Sequence, residues 1–318
     1  MYSLVACLSA FFLVYLLIPV SVRIAWRWRL IDMPVGRKAH QKPMPLSGGL
    51  AMFAGMTFIS LLFAEWDPLV MAMIGGGLLL VGVGVVDDWF KTQRKDFPIS
   101  PRLLLQGLAA AIAFALDIRF RGMSLSWFGG GEGQMLLFPM WLSFAATLIW
   151  VLGLTNMMNF LDGADGLAGG VTAISATTLF FIALVKGQSQ TALVAAILAG
   201  STLAFLRFNF HPAQLFMGDA GSAFLGYTLS LLALEGTMKG ATLVSLTVTV
   251  LALGLPVIDT VQVMISRILA GIPVYKADRR HVHHRLLSKG LSTRQTVMVL
   301  YLISILFSIT SVFLFLLL

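Results

Sequence analysis

Charge is scarce in this sequence. Only 11% of its 318 residues are Asp, Glu, Lys or Arg, against roughly 25% in a soluble domain. With 58% hydrophobic residues and a mean hydropathy of +0.90, that scarcity excludes a soluble globular domain and gives an integral membrane protein. Cysteine is almost absent. The single one, Cys7, lies inside the first apolar run, so an intrachain disulfide is excluded and redox chemistry has no part in the reading. No basic segment precedes that run; its arginines follow it. A cleaved signal peptide is therefore not expected. Internal repeats, low-complexity stretches and soluble-domain composition are missing too, which leaves one membrane domain over residues 1–318.

What is present is long apolar runs. A membrane helix needs about 20 mostly apolar residues, within a range of ~17–25. Ten such segments are predicted, near residues 3–22, 48–65, 68–86, 101–118, 139–155, 167–185, 191–206, 223–238, 241–258 and 296–317. The expected fold class is thus an all-α polytopic membrane protein. Basic residues set its orientation. Of the 22 Lys and Arg, only Arg119, Arg121, Lys186 and Lys239 fall in one set of loops, and the other 18 fall in the opposite set. The richer set is cytoplasmic by the positive-inside rule, so both termini are expected outward. The same rule accounts for a pI of about 9.9 without nucleic acid as a partner. All five histidines fall on the cytoplasmic side, with Asp87, Asp88, Asp162, Asp165, Asp219, Asp259 and Asp278. The outward loops are plain. The longest, about 119–138, holds Trp127-Phe128 and a glycine run, and reads as an interfacial lid or hairpin.

Four stretches on the cytoplasmic side can carry chemistry. Asp87 and Asp88 end the third span, where the partial negative charge of a helix C-terminus opposes them. They are either a solvated span end pairing with Lys91, Arg94 or Lys95, or a metal site or general base. In NMMNFLDGADGLAGG, residues 156–170, Asn156, Asn159, Asp162 and Asp165 recur at every third position. Gly163 and Gly166 permit a tight turn into the sixth span. The stretch is a polar turn with local hydrogen bonds, or a set of oxygen ligands for a hard cation such as Mg²⁺. In FMGDAGSAFLGY, residues 216–227, Ser222 is a candidate N-cap. The glycines around Asp219 with a helix N-terminus also suit an anion, which next to Asp219 implies a cation. In DRRHVHHRLLSKG, residues 278–290, three histidines and three arginines lie close together. Zinc lacks a matching ligand set, and a pyrophosphate, a sugar phosphate or a lipid headgroup fits better. Arg37, Lys38, His40 and Lys42 form a smaller basic patch, which the positive-inside rule alone also explains. Acidic metal-type and cationic phosphate-type groups on one face fit Mg²⁺-dependent phosphoryl transfer. An ion-coupled transporter is the rival class, but its ionisable groups belong near the midplane rather than at span ends.

Together these residues identify a likeness. DDWF at 87–90, the 156–170 and 216–227 stretches, and DRRHVHHRLLSKGLSTRQ at 278–295 resemble the polyprenyl-phosphate N-acetylhexosamine-1-phosphate transferases, over nearly the whole chain. The His-x-His-His run after Asp-Arg-Arg is similar to the WecA-like branch that starts O-antigen, common-antigen or teichoic acid synthesis. The alternative is the branch that transfers phospho-N-acetylmuramoyl-pentapeptide for peptidoglycan. MPLSGG at 44–49 departs from that branch's Thr-Pro-Thr-Met-Gly-Gly. The resemblance implies transfer of N-acetylhexosamine 1-phosphate, by default N-acetylglucosamine 1-phosphate, from a UDP-sugar to undecaprenyl phosphate, with release of UMP, at a bacterial inner membrane. It implies Mg²⁺, with Mn²⁺ as a substitute, held by Asp219 and Asn159, and a homodimer as an option. Asp87 is the implied base toward the lipid phosphate, supported by Asp88, while Asp162 and Asp165 shape the nucleotide and metal site. Asn156, Asn159, Arg280, His281, His283, His284 and Lys42 are the implied substrate contacts. Pro256 and the amphipathic run after it resemble a broken ninth helix beside a lipid groove.

Overall fold

The computed structural model describes residues 1–34, 42–124, 135–236, 243–271 and 280–317. The patch residues Arg37, Lys38 and His40, the Asp278-Arg279 start of the histidine motif, and Trp127-Phe128 with its glycine run lie outside them.

Each expected span holds a helix. The first four are α1 (Tyr2–Arg27), α2 (Gly48–Phe63), α3 (Pro68–Thr92) and α4 (Ile99–Ala115). Then come α5 (Met140–Leu161), α6 (Leu167–Val185), α7 (Ser189–Asn209) and α8 (Gly218–Gly236). The ninth segment is two helices, α9 (Leu243–Ala252) and α10 (Gly254–Leu269). Short α11 (Val282–Ser288) precedes α12 (Thr293–Leu317). By length and composition, α1, α3, α5, α6, α7 and α12 can each cross a membrane, and α9 with α10 makes a seventh if the bent pair is one span. The chain is therefore an all-α polytopic membrane protein; α2 and α4 are shorter apolar helices.

Two small hairpins interrupt the helices. β1 (Ile31–Asp32) pairs antiparallel with β2 (Met44–Pro45), and Leu46 bridges in parallel to Phe216. This ties the first inter-span loop to the segment before α8. β3 (Gly122–Ser124) pairs antiparallel with β4 (Met135–Leu137), which is the hairpin expected in loop 119–138.

The centre of the bundle is α8. All its residues except Asp219 and Glu235 are buried, as expected of a helix apolar on every side. It packs against α3, α5 and α2. Lipid supplies no hydrophobic drive between helices, so close backbone approach through small residues must hold them. Gly84 of α3 lies against Ala220 so closely that a Cβ there would stand 2.3 Å from the Ala220 Cα. The Tyr227 hydroxyl donates at 3.0–3.1 Å to the carbonyls of Ala72 and Ala109, pinning α8 to α3 and α4.

The break in the ninth segment falls at Leu253-Gly254, where the chain bends by 88°. Pro256 sits just inside the first turn of α10, where its missing N–H costs nothing, rather than at the break itself. α10 buries Pro256, Asp259, Thr260, Val263 and Arg267 on one side. Ile258, Val261, Ile265 and Ile268 stay exposed on the other.

The crossing at Gly84 gives a testable contrast. Gly82 has nothing within 4 Å of its added Cβ, so Gly82→Ala should be neutral or slightly stabilising, since Ala favours a helix by about 1 kcal/mol. Gly84→Ala must push backbone away and should lose about 1–3 kcal/mol. Thermal unfolding in detergent measures both. Equal melting temperatures for the two variants would mean that α3 and α8 do not pack this tightly.

Candidate active site

The C-terminal end of α3 places two buried carboxylates, Asp87 and Asp88, where the helix already carries partial negative charge. Each is offset differently. Asp88 reaches the start of α8. Its Oδ1 accepts from the Asp219 N–H at 3.0 Å and its Oδ2 from the Ala220 N–H at 3.4 Å. The positive end of α8 thus meets the negative end of α3 through one side chain. Gly218, at φ +73°, lies so close that a Cβ would stand 2.3 Å from Asp88 Oδ2. The expectation that Ser222 caps this helix is corrected. The helix starts four residues earlier, and Ser222 lies inside it, donating to the Gly218 carbonyl at 3.2 Å. The anion at this helix N-terminus is the protein's own Asp88.

Asp87 turns instead to cations. Arg102 Nη1 lies 3.3 Å from its Oδ2 and Lys91 Nζ 3.9 Å from its Oδ1. The same two cations serve Asp219, with Lys91 Nζ at 2.5 Å and Arg102 Nη1 at 3.8 Å from Oδ2. Asp87, Asp219, Asn159, Asn156, Arg102 and Gln106 all line one cavity of about 10 Å³, room for roughly one water. Arg102 and Gln106 are site residues that the sequence reading did not single out. Their signal was present: lone polar groups one turn apart near the start of an otherwise apolar helix mark function by default. Lys91, read only as a possible ion-pair partner, follows Asp87 by one helical turn.

The four residues in three-step rhythm go separate ways. Asn156 and Asn159 are still in regular α5. Asn156 donates to Gln106 Oε1 at 2.9 Å. Asn159 donates to Ser222 Oγ at 3.0 Å, which uses its donor and not its acceptor oxygen. Asp162 ends α5 as its C-cap. Burial first, then the charges of Asp219 and Asp88, hold its carboxyl well above the usual carboxylate range. Asp165 lies in the turn and binds His211 Nδ1 at 2.8 Å and the Ala213 N–H at 3.2 Å. Asp162 and Asp165 line a cleft of about 1210 Å³ with Lys42, Lys91, Arg94, Lys95, Asp88 and Asp219. Asp87 and Asn159 meet the same Asp219 from the small cavity behind it.

The histidines stand beside this cleft on α11 and its cap. His281 Nδ1 is 2.9 Å from Asp259 Oδ2, and the Val282 N–H donates to Asp259 Oδ1 at 2.8 Å. Asp259, given no role in the sequence reading, therefore orients the cluster from α10. His283 stacks near His281 and His284 and packs on Gly163 of the turn. Neither of its ring nitrogens has a hydrogen-bond partner among the described residues. Desolvation first, then the neighbouring His284, lowers its pKa to about 4. Arg280 holds Ser266 of α10, through its carbonyl at 3.0 Å and its hydroxyl at 2.9 Å.

The donor set can be tested against a divalent cation. Among the described residues, no three His, Cys, Asp or Glu stand together as a ready-made cage. Mg²⁺ does not ask for one, because it keeps several waters and takes one or two carboxylates plus substrate phosphate. Asp219, flanked by Asp162, Asp88 and Asp87 and paired with Lys91 and Arg102, supplies hard oxygen donors. The residues fit.

The chain is similar in sequence to known proteins. The sequence profile of glycosyl transferase family 4 matches residues 70–237. A probable undecaprenyl-phosphate N-acetylglucosaminyl 1-phosphate transferase of Bacillus subtilis is 36% identical over 309 residues, covering 97% of this chain and 84% of that protein. The undecaprenyl-phosphate alpha-N-acetylglucosaminyl 1-phosphate transferase of Yersinia pestis is 28% identical over 92% of this chain and 79% of its own length. The decaprenyl-phosphate N-acetylglucosaminephosphotransferase of Mycobacterium tuberculosis is 30% identical, over 88% and 74% respectively.

The lowered His283 pKa fixes a pH dependence. The unfolded ring takes its proton near 6.5 and the folded ring only near 4, so the unfolded state binds more protons between those values. Stability from this residue is complete above about pH 6.5 and is lost as pH falls toward 4. Unfolding followed from pH 8 to pH 4 should show a steeper acid loss in the wild type than in His283→Gln. Parallel curves would place His283 in contact with water.

Proposed function

The chain belongs to glycosyl transferase family 4, and from that premise we propose that it transfers N-acetylglucosamine 1-phosphate from UDP-N-acetylglucosamine to undecaprenyl phosphate. The products are the diphosphate-linked lipid sugar and UMP, and the step starts an envelope polysaccharide. The names of the relatives support this reading over the phospho-N-acetylmuramoyl-pentapeptide branch. The observation that carries it is the Asp87–Lys91–Asp219–Arg102 network beside a cleft large enough for a nucleotide sugar. We place that cleft on the cytoplasmic side of a bacterial inner membrane, with both termini outward and a homodimer as the option for assembly.

In this mechanism a lipid phosphate oxygen attacks the phosphorus that bears the sugar. The bond from that phosphorus to the bridging oxygen breaks, and UMP leaves. Asp87 accepts the acceptor phosphate's remaining proton, from a position that Arg102 fixes. Anion meets anion in this step, so cations must lower the repulsion. Lys91 and Arg102 face it from one side. Lys42, Arg280 and the histidines, with Asn156 and Asn159 behind, are assigned to the diphosphate and sugar. Asp219 and the Asn159 oxygen would hold Mg²⁺, or Mn²⁺ in its place, which when bound neutralises the pyrophosphate oxygens. Asp162 and Asp165 shape the nucleotide side. The exposed apolar face of α10 borders the groove we assign to the polyprenyl chain. A covalent aspartyl-phosphate at Asp88 is disfavoured, because both its oxygens accept backbone N–H groups.

Release of labelled UMP from UDP-N-acetylglucosamine, undecaprenyl phosphate and Mg²⁺ tests the proposal. We expect turnover that chelation stops, and a loss of about 10²-fold or more in Asp219→Asn with folded protein retained. No release from any UDP-N-acetylhexosamine would overturn the transferase reading. Near-normal turnover in Asp219→Asn would remove that residue from the metal site.

A further inference from the structure

The turn between α5 and α6 carries Asp162 and Asp165; the Leu167 N–H on the Ala164 carbonyl at 3.0 Å closes it locally, and side chains from elsewhere in the chain fix its position. Its last residue, Gly166, has φ +82°. Both backbone groups of Gly166 are taken by side chains far away in sequence. The N–H donates to Asn209 Oδ1 at 2.9 Å, and the carbonyl accepts from the Tyr301 hydroxyl at 2.5 Å. Asn209 is buried, and the other end of its amide donates to the Leu215 carbonyl at 2.9 Å. One side chain therefore spans from the Asp162–Asp165 turn to the segment that leads into Gly218 and Asp219. Asp165 adds a second link to that segment through His211 and Ala213. Tyr301 comes from α12, whose first turn holds the same segment through Arg294 Nε on the His211 carbonyl at 3.0 Å. Its ring packs so closely on α6 that a Cβ on Gly170 would stand 2.0 Å from the hydroxyl.

We propose that Tyr301 and Asn209 are positioning residues. Together they clamp Gly166 and so set the distance between the Asp162–Asp165 turn and Asp219. Two carboxylate-bearing segments that repel one another need such a brace, since like charges left to themselves move apart. Asn suits the position because it donates at one end and accepts at the other. Asp there would lose the donor to Leu215. The clamp touches the nucleotide side of the cleft, not the α10 side. Its failure should therefore weaken use of the UDP-sugar and leave use of the lipid acceptor alone. This consequence rests on the function proposed above; the clamp itself does not.

Tyr301→Phe removes one hydroxyl, and Asn209→Ala removes the amide. Tyr227→Phe is the control, since it removes a buried hydroxyl that pins helices away from the turn. With the holoprotein in nanodiscs, Tyr301→Phe should lower kcat/KM for the UDP-sugar by about tenfold, the scale of one lost hydrogen bond. KM for undecaprenyl phosphate should not change. The double variant Tyr301→Phe/Asn209→Ala should lose less than the product of the single losses, because both act through Gly166. Tyr227→Phe should lower melting temperature without this donor-selective loss. Hydrogen exchange read by mass spectrometry gives an answer without turnover: residues 162–166 should exchange faster in Tyr301→Phe and Asn209→Ala than in Tyr227→Phe. Unchanged exchange there, equal losses on both substrates, or strictly multiplicative losses would overturn the clamp. A wild type that releases no UMP but shows the exchange difference would overturn the function and leave the clamp standing.

Discussion

The Asp88 carboxylate on the first amides of α8 is the contact on which the rest of the site depends. A helix C-terminus repels a carboxylate and a helix N-terminus attracts one. Asp88 satisfies both ends at once by staying in α3 and reaching α8 with its side chain. That docking requires the two helices to approach within backbone contact, which Gly84 against Ala220 permits, and it requires no side chain at Gly218. With Asp88 spent on the helix start, Asp219 is held one residue into α8, and Asp87 beside it is left to Arg102 and Lys91.

The electrostatics of the cleft follow from that placement. Asp87, Asp88, Asp162 and Asp219 come from three helix ends, and their charges bear on one another. Such a cluster is unfavourable in a poorly solvated place unless cations enter it. Lys91 and Arg102 do part of this within the chain. We propose that a divalent cation, with phosphate oxygens as its other ligands, completes the centre. The histidine cluster stands beside it on α11, with Asp259 holding His281.

Much of the frame was legible in the sequence because a bilayer imposes length and composition on every span. All ten expected segments hold helices, six or seven of them long and apolar enough to cross a membrane, and residues 122–124 and 135–137 of loop 119–138, read as a lid or hairpin, pair as antiparallel strands. The glycine-bearing turn before Leu167 was legible for the same reason that glycine marks turns elsewhere. Side-chain partners were not legible. Asp88 finds its amides more than a hundred residues away, and no local pattern shows that Ser222 is preceded by four helical residues. The rhythm of Asn156, Asn159, Asp162 and Asp165 suggested a common job. Their partners, Gln106, Ser222 and His211 among them, lie on three different parts of the chain. Arg102 looked like an ordinary positive-inside residue, and Lys91 like the partner of a solvated span end, because that rule counts charges without asking where they point.

The two adjacent carboxylates separate: Asp88 holds α8, and Asp87 is the one we propose to meet the substrate. Asn is as good a helix N-cap as Asp but cannot act as a base. The most direct test is therefore UMP release by Asp88→Asn and Asp87→Asn, side by side, at matched folded protein. The account predicts that Asp88→Asn stays within about tenfold of wild type, the scale of one weakened hydrogen bond, while Asp87→Asn falls by about 10²-fold or more. An Asp88→Asn enzyme that folds normally and is as inactive as Asp87→Asn would contradict it.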